Sequence, residues 1–334
     1  MLTKQAHSIL NDPALIAYRE RGFETLSGLF EHGEPRTLHV LGIRGYASDG
    51  GLLYREPEVW MDEVLENLAA RVEETKCDGR FVPMCVWGDP YGVHFIDKLL
   101  GAEVFSAYGQ WYNRYLPHSV GQLQRPDLDQ NPAWILAKRI AEAFLAADVR
   151  VPLFSPAILS SPLNIAVNLY GQEMLVAMLE EPEAARHDLQ IIYDVIAETH
   201  QWYIDHIPAA QLQPICPTDR TQPPAYGQIC GCTTQLLSPD LYEEFILPLD
   251  NALLGLYPHG GMIHLCGSHR QLIPLFARME NLKSVQINDR AAEDLAYYAQ
   301  GLREDQVIYL HSCPGMTVER GLAVAEGHRM VIPH

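Results

Sequence analysis

Three short pairs in the sequence carry side chains that bind metals: His264 and Cys266 in GGMIHLCGSH, His311 and Cys313 in YLHSCPG, and Cys230 and Cys232 in QICGCTTQ. Residues i and i+2 of a β-strand point to one face, so an extended segment presents both members of a pair to one site. Imidazole nitrogen and thiolate sulfur are the donors that Zn²⁺ takes, at about 2.0 to 2.3 Å. If two neighbouring strands bring His264, Cys266 and Cys313 together, they supply three ligands and leave a fourth position open, the arrangement of a catalytic zinc. A closed set of His264, Cys266, His311 and Cys313 would be a structural site, and Cys230 or Cys232 could replace one of these ligands. The spacing also suits plain packing at the end of a buried strand, and the sequence leaves these alternatives open.

A second group of candidates is polar and not metal-directed. Asp89 in VWGDPYG follows an apolar run and precedes a Pro-Tyr-Gly turn, so its carboxylate could face a site or merely start the turn. Arg44 and Tyr46 in GIRGY stand at another strand end, where a guanidinium would suit a substrate carboxylate. Asn164, Tyr170 and Gln172 are weaker pocket-lining candidates within an otherwise apolar helical stretch, whose Met174 and Met178 have the spacing of core residues. Cys85, Cys77 and Cys216 lack a paired partner and read as small hydrophobes.

The elements that must position these residues alternate along the chain. Candidate strands cover 37–43, 80–87, 102–109, 149–155, 212–216, 261–266, 282–288, 306–312 and 329–333, with helical stretches between them. The helices are EPEVWMDEVLENLAARVEETK, EPEAARHDLQIIYDVIAETHQWYIDHI, and SPDLYEEFILPLDNALLGLY, whose Ser238 has the place of an N-cap and Pro239 the first helical position. This pattern predicts an α/β fold, a (β/α)8 TIM barrel over residues 37–334, with residues 1–36 as a short N-terminal helical extension. On such a barrel, function lies on the loops after the strands, and Arg, Asp, His and Cys are concentrated there.

Composition narrows the function further. The 334 residues are 48% hydrophobic and 20% charged, as in a globular protein, and a formal net charge of -18 makes nucleic acid and anionic membranes poor partners. Charges and Pro13 break the opening segment before it reaches the length of a signal peptide, and no later run approaches a membrane span. Seven scattered cysteines then point to reduced thiols and a cytoplasmic location.

The runs SPLNIAVNLYGQEMLVAMLEEPEAARHDL, LLSPDLYEEFILPLDNALL and GGMIHLCGSHRQLIPLFARMENLKSVQIND resemble successive blocks of the uroporphyrinogen decarboxylase superfamily, and the resemblance runs from residue 38 onward. It implies a (β/α)8 barrel with one of two activities. One branch decarboxylates the acetate side chains of uroporphyrinogen without metal or cofactor. In the other, cobalamin-dependent methyltransferases use a His-x-Cys pair and a distant Cys to hold a zinc that activates a thiol methyl acceptor. Carried onto this sequence, that ligand pattern falls on His264, Cys266 and Cys313.

The sequence departs from both branches. The Arg-Gln-Ala-Gly-Arg-Tyr block of the decarboxylases is reduced to Arg44 and Tyr46, and Asp89 is the nearest equivalent of their Phe-Ser-Asp aspartate. In the methyltransferases the last cysteine sits on the terminal strand, whereas here TVERGLAVAEG and RMVIP follow Cys313. Cys230 and Cys232 occupy a block where many members have a carboxylate, which makes Cys232 the rival third ligand. The resemblance thus implies a zinc-dependent methyltransferase moving a methyl group between a corrinoid protein and a thiol or other small acceptor. Asp89, Arg44 and Tyr46 would orient the small-molecule substrate, and the protein would be a homodimer. The alternatives are a metal-free decarboxylase of a porphyrinogen-like or smaller carboxylic acid, acting through Arg44 and Asp89, and a non-catalytic corrinoid- or metal-binding barrel.

Overall fold

Short runs rich in Val, Ile and Leu, bounded by polar or Gly/Pro turns, form the strands of this chain. The computed structural model describes residues 1–34, 36–77, 79–157, 159–214 and 220–334. Its strands are β1 (Thr37–Val40), β2 (Ile43–Arg44), β3 (Met84–Trp87), β4 (Val104–Ala107), β5 (Gln110–Asn113), β6 (Leu153–Ser155), β7 (Gly227–Cys230), β8 (Gly261–Leu265), β9 (Leu282–Ile287), β10 (Val307–Leu310) and β11 (Met330–Pro333).

Six of them form a sheet in the order β1-β11-β10-β9-β8-β7, and three form a second in the order β2-β3-β6. All pairings in both sheets are parallel. Isolated parallel bridges connect their edges: Val40 with Phe81, on the way into β3, and Ser160, beyond β6, with Cys230 of β7. A further bridge joins Phe154 to Leu212. The fold is therefore α/β, with parallel strands and intervening helices.

Two expectations from the sequence change here. The candidate strand at 37–43 is split into β1 and β2. The candidate at 102–109 belongs to neither parallel sheet: β4 pairs antiparallel with β5 through a tight turn at Tyr108 and Gly109, both left-handed, at φ 52° and 74°. That is the geometry of a two-residue hairpin turn, and Gly109 supports it. Of the candidate at 212–216, Leu212 forms the bridge to Phe154, while residues 215–219, Cys216 among them, lie outside the described residues.

The expected helices form over Pro57–Ala70 and Pro182–His206. The third runs from Pro239 to Leu254 through a wider turn at Tyr242–Ile246. Pro248 lacks an N–H and its ring would crowd the carbonyl of residue 244, so a local i→i+5 turn just before it relieves the clash. Ser238 caps the start by accepting from Leu241 N. Among the described residues, no helix is long and apolar enough to cross a membrane.

The period-two alternation of the strands separates two apolar layers. Met84 and Val86, Ile263 and Leu265, and Ile308 and Leu310 point to the outer helices. Cys85, Leu153, Met262, Val307, Tyr309 and Val331 point the other way, where they meet Phe23, Leu26, Leu29 and Phe30 of the Pro13–Glu31 helix. That helix starts at Asp12, which accepts from Ala14 N and Leu15 N, with Pro13 at its first position. Tyr18 ties it to the sheet by accepting from Val82 N at 2.9 Å.

The Pro13–Glu31 helix thus completes the inner apolar layer. Leu26 is fully buried, so Leu26→Ala should lower unfolding free energy by about 2–5 kcal/mol. A chemical-denaturation midpoint like that of the unaltered protein would show the helix to be dispensable.

Candidate metal centre

The inner face of β7, β8, β9 and β10 forms registered rows. Cys230 pairs with His264, His264 with Gln286, and Gln286 with Tyr309. Two residues further along their strand directions come Cys232, Cys266, Asn288 and His311. The row occupied by His264 lies at the C-terminal ends of the strands, where the next loop residues are free to approach a ligand.

Close strand approach sets this register. A Cβ on Gly261 would lie 2.1 Å from the Gly227 carbonyl oxygen, and one on Gly227 would lie 2.3 Å from the Tyr257 ring. With hydrogen in both places, β7 and β8 start side by side, and Gly231 N continues the ladder to His264 O at 2.8 Å. Cys232 then opens a short 3₁₀ turn, Cys232–Leu236. Asn164 fixes that turn, donating to Cys230 O at 2.8 Å and accepting from Thr233 N at 3.0 Å. His269, fully buried, stands between the two loops with Nδ1 2.7 Å from Gly267 O and Nε2 3.2 Å from Gly231 O.

The result is a compact donor set. The ligand atoms of Cys232, His264 and Cys266 all lie within 4.8 Å of one another, with the histidine buried and both thiols half-buried. His264 Nδ1 is hydrogen-bonded to Gln286 Oε1, and Gln286 Nε2 in turn donates to Asn288 Oδ1. An amide oxygen only accepts, so Nδ1 carries the proton and the Nε2 lone pair is available for ligation. The Cys232 thiol, and after it the His264 ring, hold the Cys266 thiol well below its usual pKa; the same contact pushes Cys232 up. The lowered pKa of the Cys266 thiol favours the thiolate form that a cation takes.

The donor chemistry fits zinc: two sulfurs, one imidazole and an orienting amide on the second ring nitrogen. Because an orienting partner of this kind typically contributes 10- to 100-fold in affinity, Gln286→Leu should weaken metal binding by about that factor. Competition against a chromophoric chelator measures it, and unchanged affinity would mean that something else orients the ring.

Cys313 is not in this set. It lies beyond β10, in an antiparallel bridge with Met316, and its Sγ faces Asp289 O at 3.6 Å. The strand β9 runs between β8 and β10. Two inter-strand steps of about 4.8 Å separate the two His-x-Cys segments, whereas a single step separates β8 from β7. His311 is likewise on the far side of β9, its backbone N–H donating to Ile287 O at 3.1 Å. Cys230 faces Arg220, with Nη1 3.8 Å from its Sγ. Cys85 is buried core, and Met174 and Met178 pack in the outer layer.

The other candidates are dispersed. Arg44, on β2, stacks its guanidinium 3.7 Å from the centre of the Trp87 ring and 5.5 Å from that of Tyr46. Tyr46 itself is mostly exposed, beside the Pro57–Ala70 helix, where its N–H donates to Asn67 Oδ1 at 3.1 Å. Asp89, in the loop after β3, lies near enough to Tyr54 and Tyr203 for its charge to raise both phenols, adding to burial as the main cause. Tyr170 donates to the buried Asp188 at 2.7 Å, which makes it a structural residue.

Sequence reasoning missed Trp87, Gln286, Asn288 and His269. Gln286 did leave a signal, a polar side chain in the middle of SVQI with the alternation of an inner face. Trp87 Nε1, Ser155 Oγ, Gln228 Nε2 and Arg44 Nε are buried without a hydrogen-bond partner among the described residues. Trp87 and Ser155 follow the inner-facing Cys85 and Leu153 by two positions, so they share that face of their sheet.

No family model and no curated protein sequence matches this chain. Among solved structures it is similar to a methyltransferase from Methanosarcina mazei, with a TM-score of 0.58 and 12% sequence identity over 92% of this chain and 98% of that one. At this identity the likeness is one of fold.

Proposed function

We propose that this chain is a zinc-dependent methyltransferase of the uroporphyrinogen decarboxylase superfamily, moving a methyl group between a corrinoid carried by a partner protein and a thiol or other small acceptor. The observation that carries the reading is the Cys232–His264–Cys266 cluster at the C-terminal ends of parallel strands. The likeness in fold to the Methanosarcina mazei methyltransferase supports it. In this reading the two bridged sheets are a (β/α)8 barrel over residues 37–334, residues 1–36 are its extension, and Cys232 is the third ligand in place of Cys313.

Bound at this cluster, zinc keeps a coordinated acceptor thiol deprotonated and nucleophilic at neutral pH. The protein's own groups do the rest. Gln286 holds the His264 ring in the ligating tautomer. Asn164 and His269 fix the two loops so that both sulfurs face one point. Arg44, stacked on Trp87, presents its guanidinium to an anionic part of the substrate, and Asp89 orients the remainder. Tyr46 serves through its contact with Arg44. A reducing cytoplasm suits a site that depends on free thiols, and the reading includes a homodimer.

Metal analysis of protein purified without a metal-affinity tag tests this. It should find about one zinc per chain, and methylcobalamin should be consumed in the presence of an acceptor thiol. Protein without metal, in which Cys266→Ser is fully active, would favour the metal-free decarboxylase and sink the methyltransferase reading.

A further inference from the structure

Cys232 and Cys266 are two half-buried thiols on adjoining loops, two positions past the registered pair Cys230 and His264. Their sulfurs lie within 4.8 Å of each other, and neighbouring parallel strands about 4.8 Å apart carry the two loops, a spacing within the range a disulfide spans. We infer that the metal-free cluster is a modification site for hydroperoxides, with Cys266 as the thiol that attacks the peroxide and Cys232 as the thiol that resolves it. The inference rests on the metal reading only for the statement that zinc protects the site.

The steps balance. The Cys266 sulfur attacks the peroxide, forming S–O and breaking O–O; the sulfur is oxidised by two electrons and the peroxide leaves as an alcohol, or as water from hydrogen peroxide. Cys232 then attacks the sulfenic acid, forming S–S and breaking S–O, with a second water released. Cys230 is poorly placed to compete, because its sulfur faces Arg220 and a link to Cys232 would close a ring around Gly231 alone. Zinc bound to both sulfurs occupies the electron pairs that the first step needs. Oxidation would eject the metal and silence the site until a reductant restores it.

The full-length protein is prepared metal-free and zinc-loaded, treated with equimolar hydrogen peroxide, blocked with N-ethylmaleimide and mapped by peptide mass spectrometry. The expected result is a Cys232–Cys266 disulfide in most metal-free chains, formed at least about tenfold more slowly with zinc bound, with one zinc released per disulfide. In Cys232→Ser, a dimedone adduct should appear on Cys266. Absence of the disulfide from metal-free protein, a Cys230–Cys232 link in its place, or equal rates with and without bound zinc would each overturn the inference. Metal content, read separately, tells a failure of the zinc assignment from a failure of the thiol chemistry.

Discussion

Cys232→Ser should cost the protein most of its zinc affinity, while Cys313→Ser should leave the metal bound. Structural zinc sites with four protein ligands are worth about 10–16 kcal/mol, so each ligand accounts for about 3 kcal/mol and its loss for about 100-fold in affinity. Cys232 lies one strand step from Cys266, and Cys313 lies two steps away with β9 between them. Equilibrium dialysis with zinc, followed by elemental analysis, separates the two. If Cys313→Ser loses metal and Cys232→Ser keeps it, the ligand set drawn from the structure is wrong. His264→Ala and Cys266→Ser should behave like Cys232→Ser, and Cys230→Ser like Cys313→Ser.

Gly261→Ala should damage stability and metal binding together, although it changes no ligand. Its Cβ would lie 2.1 Å from the Gly227 carbonyl oxygen, an atom of the backbone that no rotamer change can move. The start of β8 would have to swing away from β7, at a cost of about 1–3 kcal/mol or more. That displacement runs along the register that sets His264 beside Cys230 and brings Cys266 to Cys232. A drop in denaturation midpoint accompanied by about tenfold or greater loss of zinc affinity is expected. Gly50→Ala, where an added Cβ meets nothing within 4 Å, should change neither. Intact metal affinity in a destabilised Gly261→Ala protein would detach the glycine from the site.

The His264 and Cys266 pair was legible because strand alternation is a local property: two positions apart, one face. The third member of the cluster was not, because it depends on which strand neighbours which. The segments carrying Cys232 and Cys313 both end in a turn after an apolar run, and only the spatial order β7-β8-β9-β10 tells them apart. The parallel strands themselves were readable as apolar runs; β4 was read as one of them within 102–109, but its pairing with β5 in a hairpin was not, since a hairpin strand and a parallel strand share the same composition. What distinguishes them is the left-handed backbone at Tyr108, which a tyrosine does not announce. The role of the Pro13–Glu31 helix was hidden for a similar reason. Its amphipathic pattern gave a helix, while its partners, among them Cys85, Met262 and Tyr309, are far away in the chain.

That helix also fills one end of the space between the strands. With Phe23, Leu26, Leu29 and Phe30 seated against the inner residues, and with Gln222 hydrogen-bonded to Gly227 O and Ser284 Oγ behind them, one end of the interior is stoppered. In the proposed methyltransferase, a bulky methyl carrier and a small acceptor would both approach the cluster from the strand ends, and an excess of either would obstruct the other. Saturating acceptor should therefore slow turnover at low carrier concentration, a queueing effect that steady-state kinetics with both reactants varied would show.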